Sequence, residues 1–106
     1  MEKLDIKRGN YGNIEGEGLF KRMKEVFGNC RKEGEWLVSE FGAMKPIKLK
    51  VLSKNELAME ITTVKIPDEM VLETMRKRNE LLEFATGFTA KERLKRLKDK
   101  AKKGEL

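Results

Sequence analysis

The sequence contains no histidine, one cysteine and no long apolar run, and each of these absences excludes a class of function. Without histidine there is no imidazole metal ligand and no side chain whose unperturbed pKa lies near neutrality. Ser-His-Asp triads, Cys-His pairs and zinc sites therefore lack their parts. No run of about 18 apolar residues is present, so we expect no membrane-spanning segment and no membrane partner. The sequence predicts no catalytic residues, no metal site and no cofactor, and hence a protein that is not an enzyme.

Cysteine usage and the start of the chain both bear on the cellular compartment. Cys30 has no second cysteine with which to form an internal disulfide, which is typical of a reducing compartment. Residues 1–8 mix charges with Leu4 and Ile6 and lack the uninterrupted apolar core of a secretory signal. We therefore expect a cytoplasmic protein. Cys30 itself is predicted to be a small buried hydrophobe, because no local motif lowers the pKa of its thiol.

Length and composition are those of a small, highly charged domain. A chain of 106 residues can form one hydrophobic core, so a single domain over residues 1–106 is predicted. Its apolar share is 39%, whereas its charged share of 40% is well above the usual quarter. The net charge of +6 favours anionic partners, although it is moderate for a protein that binds nucleic acid.

Apolar alternation predicts strands in the first two thirds of the chain. The predicted strands are residues 1–8, 29–32, 35–41, 44–52 and 56–64. In the fourth of them Ile47 and Leu49 alternate with Lys48, which is the period of a half-buried strand. Trp36 and Val38 share one face of the third strand, and this pattern favours core packing for Trp36.

Three amphipathic segments predict helices at residues 19–27, from residue 67 to about residue 86, and at about residues 89–103. The second helix has an apolar stripe that is interrupted by Asn79. The stripe consists of Val71, Leu72, Met75, Leu82 and Ala85. Thr89 and Glu92 form a capping box for the third helix, whose narrow seam of Leu94, Leu97 and Ala101 predicts docking along one edge. The order of elements predicts an α+β two-layer sandwich, in which an antiparallel sheet of four to five strands packs against two to three helices.

Four segments carry a resemblance to a known family: ETMRKRNELL at residues 73–82, ATGFTAKER at residues 85–93, KRG at residues 7–9 and SEFGA at residues 39–43. Together they resemble a family of small archaeal proteins of about this length whose function is uncharacterised. The resemblance covers nearly the whole chain. It implies an archaeal origin and a two-layer α/β sandwich that is similar to one half of a TATA-binding-protein-like saddle. It implies no activity and no functional residue.

The basic C-terminal helix is the most prominent candidate site. Residues 89–106 contain eight basic and three acidic residues, and their net charge of +5 is nearly the whole charge of the chain. A basic helix edge binds phosphates by releasing counterions, without reading the base sequence. The alternative is a solvated helix whose lysines maintain solubility and complement its carboxyl end. Composition alone leaves both interpretations open.

Asn79, Tyr11 and the methionines are further candidates. Asn79 lies on a core-facing stripe, where an amide usually has a structural hydrogen-bonding role, although it could instead line a small pocket. Tyr11, in a glycine-rich loop, is the aromatic residue best placed at the surface to stack on a base. The methionines beyond the first residue fall on predicted core faces, which favours core filling over an adaptable binding surface.

Two functions of different classes follow. The first is a nucleic-acid-associated binding module whose C-terminal helix contacts the phosphate backbone of DNA or RNA. The candidate contact residues are Lys91, Arg93, Lys95, Arg96, Lys98 and Lys102, with Arg76 and Arg78 on the preceding helix. The alternative is a protein-interaction or assembly module, such as a homo-oligomer, with no nucleic-acid role. It would use an exposed sheet edge or the seam of the last helix. Salt separates the two, because phosphate contacts are screened and apolar contacts are not.

Overall fold

The structure is a computed structural model that describes the backbone of residues 2–102 and the side chains of residues 2–99. Within this part of the chain there are five strands and three α-helices. In chain order they are β1 (Glu2–Asp5), α1 (Gly18–Phe27), β2 (Arg31–Glu33), β3 (Trp36–Phe41), β4 (Met44–Ser53), β5 (Glu56–Thr63), α2 (Asp68–Thr86) and α3 (Ala90–Lys102). A short 3-10 helix, Asn10–Asn13, lies in the loop between β1 and α1.

The five strands form one antiparallel sheet in the order β1-β5-β4-β3-β2. β2 to β5 form a meander, and β1 pairs with the outer edge of β5. The ladder between β4 and β5 is irregular from Met44 to Ile47, where the Lys45–Pro46 peptide is cis. Helices α1 and α2 supply buried residues to the core on one face of this sheet. The predicted α+β sandwich is therefore confirmed.

The core lies between the sheet and the two helices. Leu19 and Met23 of α1 are buried in one cluster with Leu81 of α2 and with Leu49 and Leu57 of the sheet. Each of these side chains stabilises the fold by about 1.5–3 kcal/mol through burial. The three- and four-residue spacing in α1 and the alternation in β4 and β5 predicted these core faces, whereas Leu81 is absent from the stripe predicted for α2.

The prediction of core packing for Trp36 is wrong. Leu37 pairs with the core residue Leu49, so Trp36 and Val38 point to the opposite face of the sheet. On that face the Lys50 ammonium lies 5.7 Å from the centroid of the Trp36 ring. Val38 is fully buried there. One of the two apolar positions is therefore buried, although the helices do not cover this face.

The first half of α2 also differs from its predicted packing. Val71, Leu72 and Met75 are 38%, 70% and 45% exposed, so the apolar stripe is buried only in the second half of the helix. Core filling is right for Met23, Met44 and Met59, but Met70 and Met75 lie at the surface. The stripe predicted a helix correctly, but it could not show where the sheet beneath that helix ends.

The turn between β3 and β4 is attached to α2 through Thr74. The Thr74 hydroxyl donates to the Met70 carbonyl at 2.9 Å and accepts from the Ala43 N–H at 3.3 Å. Gly42 has a φ of +53°, and a Cβ at this position would collide with the Thr74 hydroxyl. The close approach therefore requires glycine for two reasons, the backbone conformation and the absence of a side chain.

The loop after β1 closes against the carboxyl end of α2. The Asn10 amide donates to the Phe84 and Ala85 carbonyls at 3.0 and 2.8 Å, which satisfies groups that a helix end leaves unpaired. The neighbouring Tyr11 is half-buried and packs against the core, so only part of its side chain lies at the surface. Cys30 is also half-buried against the core, and burial raises the pKa of its thiol.

Candidate functional site

Helix α3 begins with the predicted capping box. The Thr89 N–H donates to the Glu92 carboxylate at 3.0 Å, and the Glu92 N–H donates to the Thr89 hydroxyl at 3.2 Å. Hydrogen bonds from Thr89 hold the pKa of Glu92 below its ordinary value of 4.5. These bonds satisfy donors at the start of α3 and fix where the helix begins. Of the predicted span of 89–103, residue 103 lies outside the described residues.

Arg93 connects α3 to α2. Its guanidinium donates to the Phe88 carbonyl at 2.7 Å and to the Asn79 side-chain oxygen at 3.0 Å. Burial lowers the pKa of Arg93, and the positive charge of nearby Arg78 lowers it further. The structural interpretation of Asn79 is confirmed, because its amide oxygen is the acceptor that links the two helices.

Arg96 connects α3 to the edge of the sheet. Its Nε and one Nη donate to the same Asp5 carboxylate oxygen at 3.1 and 2.9 Å. The guanidinium also lies over the Phe88 ring, 4.6 Å from its centroid, where a cation–π interaction is favourable. The docking of α3 therefore depends on arginine contacts. The apolar seam predicted for this purpose is half exposed, with Leu94 at 52% and Leu97 at 50%.

The lysines of α3 lie on the side that faces away from these contacts. Lys91, Lys95 and Lys98 are spaced four and three residues apart, so they form one stripe along the helix. At 3.6 residues per turn this stripe lies about 160° around the helix from Arg93 and Arg96. All three side chains are exposed, and none of them has an ion pair within the described part of the chain. We call these three residues the lysine stripe.

The three remaining predicted site residues, Lys102, Arg76 and Arg78, lie outside the defined lysine stripe. The backbone position of Lys102 continues the four-residue spacing, but its side chain lies outside the described residues. Arg76 is exposed on α2, whereas Arg78 is half-buried and its Nε is buried without a hydrogen-bond partner among the described residues. The eight predicted basic residues therefore divide into four groups. Two arginines hold α3 on the domain, three lysines form the exposed stripe, two arginines lie apart on α2, and the side chain of Lys102 is outside the described residues.

Sequence reasoning missed a groove between the first half of α2 and the far end of the sheet. Its volume is about 180 Å³. The lining residues are Ala43, Met44, Ile61, Thr63, Val71, Thr74, Met75 and Arg78. The local signal for it is the cluster of large apolar residues in the first half of α2, Val71, Leu72 and Met75, which the sequence analysis assigned to the core.

A wide, open depression of about 740 Å³ extends from the outer face of the sheet around the edge of β5 to Arg78 of α2. Its lining mixes both signs of charge, with Arg31 and Lys48 beside Glu33 and Glu60. Arg31 is already paired with Glu33 at 2.6 Å, and this contact lowers the pKa of Glu33. The face is therefore a poor platform for an anion.

The described residues contain neither a metal-binding cluster nor a membrane-spanning helix. Within residues 2–102 there is no group of three or more His, Cys, Asp or Glu side chains that could hold a metal ion. None of the helices in that part of the chain is long and apolar enough to cross a membrane.

Comparison with known proteins identifies the family of the chain but no relative of known activity. No curated protein and no solved structure matches it. The archaeal origin and the similarity to a half saddle therefore stay predictions. Residues 1–99 match the family described as a domain of unknown function, DUF5611. Because the match covers nearly the whole chain, this protein belongs to the DUF5611 family.

Proposed function

We propose that this domain is a non-enzymatic binding module that contacts the phosphate backbone of DNA or RNA through the lysine stripe. The observation that supports the proposal is the division of α3 into two faces. Arg93 and Arg96 contact the domain, while Lys91, Lys95 and Lys98 point away from it and lack internal partners among the described residues. Lysines that lack ion-pair partners and lie in a row along a docked helix match the repeated charges of a linear polyanion better than the charge of one small anion.

In this proposal the two kinds of basic residue have different roles. The arginines are positioning residues, because their planar guanidinium groups bind Asn79 and Asp5 with defined geometry. The lysines are the phosphate contacts, because a flexible ammonium acts as a point charge and needs no fixed geometry. Binding of this kind is independent of base sequence and weak at physiological salt, with a Kd of about 10⁻⁴–10⁻⁶ M.

The proposal is tested by fluorescence anisotropy with labelled DNA and RNA oligomers at low salt. A triple variant, Lys91→Gln, Lys95→Gln and Lys98→Gln, is compared with the unaltered chain. The matched control replaces three exposed lysines outside α3, namely Lys21, Lys24 and Lys54. Both variants lower the net charge equally. We expect the stripe variant to lose at least about tenfold in affinity, whereas the control variant loses much less. Equal losses would mean that net charge and not the stripe is responsible.

Assembly with another protein chain is the second candidate function. The observation that favours it is the exposed apolar surface on α2, where Leu72 is 70% exposed, together with the groove beside it. Large apolar side chains that are exposed as a group mark interaction sites more often than singly scattered ones do. Self-association measured at high salt distinguishes this function, because apolar contacts are not screened.

A further inference from the structure

The edge of β5 is only partly covered by β1. β1 pairs with β5 from Glu56 to Met59, whereas β4 pairs with the other edge of β5 as far as Thr63. From Glu60 to Thr63 the outer edge of β5 therefore has no strand partner among the described residues. Such an edge presents backbone N–H and C=O groups that can pair with another strand.

The exposed flank of α2 lies beside this open edge. Ile61 and Thr63 of β5 line the same groove as Val71 and Met75 of α2. α1 packs against the opposite side of α2, where Arg22 of α1 lies 3.6 Å from Glu80. Among the described residues, α3 donates a hydrogen bond to the flank of α2 that carries Leu72 and Met75 only at Asn79, one turn after Met75, so this flank is open along the first half of the helix. We call this flank and the open edge, residues 60–63, 71, 72 and 75, the α2–β5 surface.

Charges are separated along the same part of α2. Asp68 and Glu69 lie in its first turn, while Arg76 and Arg78 lie about two turns later. Between them are the exposed apolar side chains and one further acidic residue, Glu73. If two copies of this segment lie antiparallel, the acidic turn of each copy faces the basic turn of the other, and Leu72 of one copy lies close to Met75 of the other.

We propose that the α2–β5 surface binds a second copy of this chain in an antiparallel, two-fold arrangement. The open edges of the two β5 strands pair with each other, and the two α2 helices pack side by side above them. Both elements are self-complementary in this orientation, because antiparallel strands pair edge to edge and the charge pattern of α2 is reversed in the partner. The dimer continues the two-layer sandwich of one copy into the other. This surface is separate from the lysine stripe, so the proposal does not depend on phosphate binding.

The test is sedimentation velocity of the full chain over a wide concentration range, without nucleic acid. We expect the mass to double as concentration rises. Leu72→Glu places a charge at the centre of the proposed contact in both copies, so the dimer dissociation constant rises at least about tenfold. The fold is not expected to change, because Leu72 is 70% exposed in the single chain, and circular dichroism checks this.

Leu97→Glu is the matched control. Leu97 is 50% exposed on α3, outside the α2–β5 surface. Its replacement is the same change, from leucine to glutamate. The proposal predicts that the Leu97→Glu variant dimerises like the unaltered chain. A chain that stays monomeric at every concentration would overturn the proposal. So would a dimer that survives Leu72→Glu, or one that Leu97→Glu dissociates, since the latter result would place the interface on α3.

Discussion

Removing the Arg96 contact should release α3 from the domain without unfolding the rest. Arg96 is 48% exposed and its partner Asp5 is 23% exposed, so this is a partly solvated ion pair. Pairs of this kind stabilise by about 0.2–1 kcal/mol. The cation–π contact with Phe88 adds about 0.5–1 kcal/mol. Arg96→Ala should therefore weaken the docking of α3 by about 1–2 kcal/mol, which is a factor of about 5–30 in its opening equilibrium.

Hydrogen exchange followed by mass spectrometry measures this opening locally. In the Arg96→Ala variant, amides of α3 should exchange about 5–30 times faster, whereas those of α1 and the sheet keep their protection. Arg76→Ala is the control, because Arg76 is exposed on α2 and has no ion pair with another described residue. If α3 exchanges at the same rate in both variants, the arginine contacts do not hold the helix and the reasoning is refuted.

Two further predictions concern the turn before β4 and the start of α3. Gly42→Ala should lower the free energy of unfolding by about 2–4 kcal/mol in a urea titration, because alanine adds a clash with Thr74 to the strain of a positive φ. Gly34→Ala is the control and should lower it less, because Gly34 also has a positive φ but its Cβ would meet nothing within 4 Å. Equal losses of stability in the two variants would show that the clash with Thr74 does not contribute. Since Thr89 lowers the pKa of Glu92, the stabilisation by this cap is complete above pH 4.5 and is lost as the pH falls through the lower folded value. The Thr89 amide resonance should therefore titrate with a midpoint below 4.5, and Glu92→Gln should abolish this titration; a midpoint at or above 4.5 would contradict the capping argument.

Local patterns in the sequence predicted most of the elements and failed where position depends on distant contacts. The alternation of Ile47, Lys48 and Leu49 identified both the strand and its core face, because that strand is central and its lysine is on the open side. The same alternation around Trp36 indicated a strand but not which of its faces meets the helices. A two-residue period shows that alternate residues share a face of the sheet. Which of the two faces the helices cover depends on the register with neighbouring strands.

The candidate site shows the same limit. The capping box of α3 is encoded within four residues, so the start of that helix was predictable. Its docking face was not, because the decisive pair, Arg96 with Asp5, is separated by 91 residues in the chain. Leu94 and Leu97 suggested an apolar docking seam. The structure instead uses arginines on a neighbouring face, because Asn79 and Asp5, which are distant in the sequence, supply their acceptors there.

The salt dependence of nucleic-acid binding tests the central claim most directly. Each lysine that neutralises one phosphate of duplex DNA adds about −0.9 to the slope of log Kobs against log salt concentration. Three stripe lysines predict a slope of about −2.7, or about −3.6 if Lys102 also makes a contact. Between about 50 and about 200 mM salt, the smaller slope corresponds to a loss of about 40-fold in affinity. The triple glutamine variant should show a slope near zero, or about −0.9 if Lys102 makes a contact. A slope that is the same in both proteins would show that the lysine stripe of α3 is not the phosphate contact.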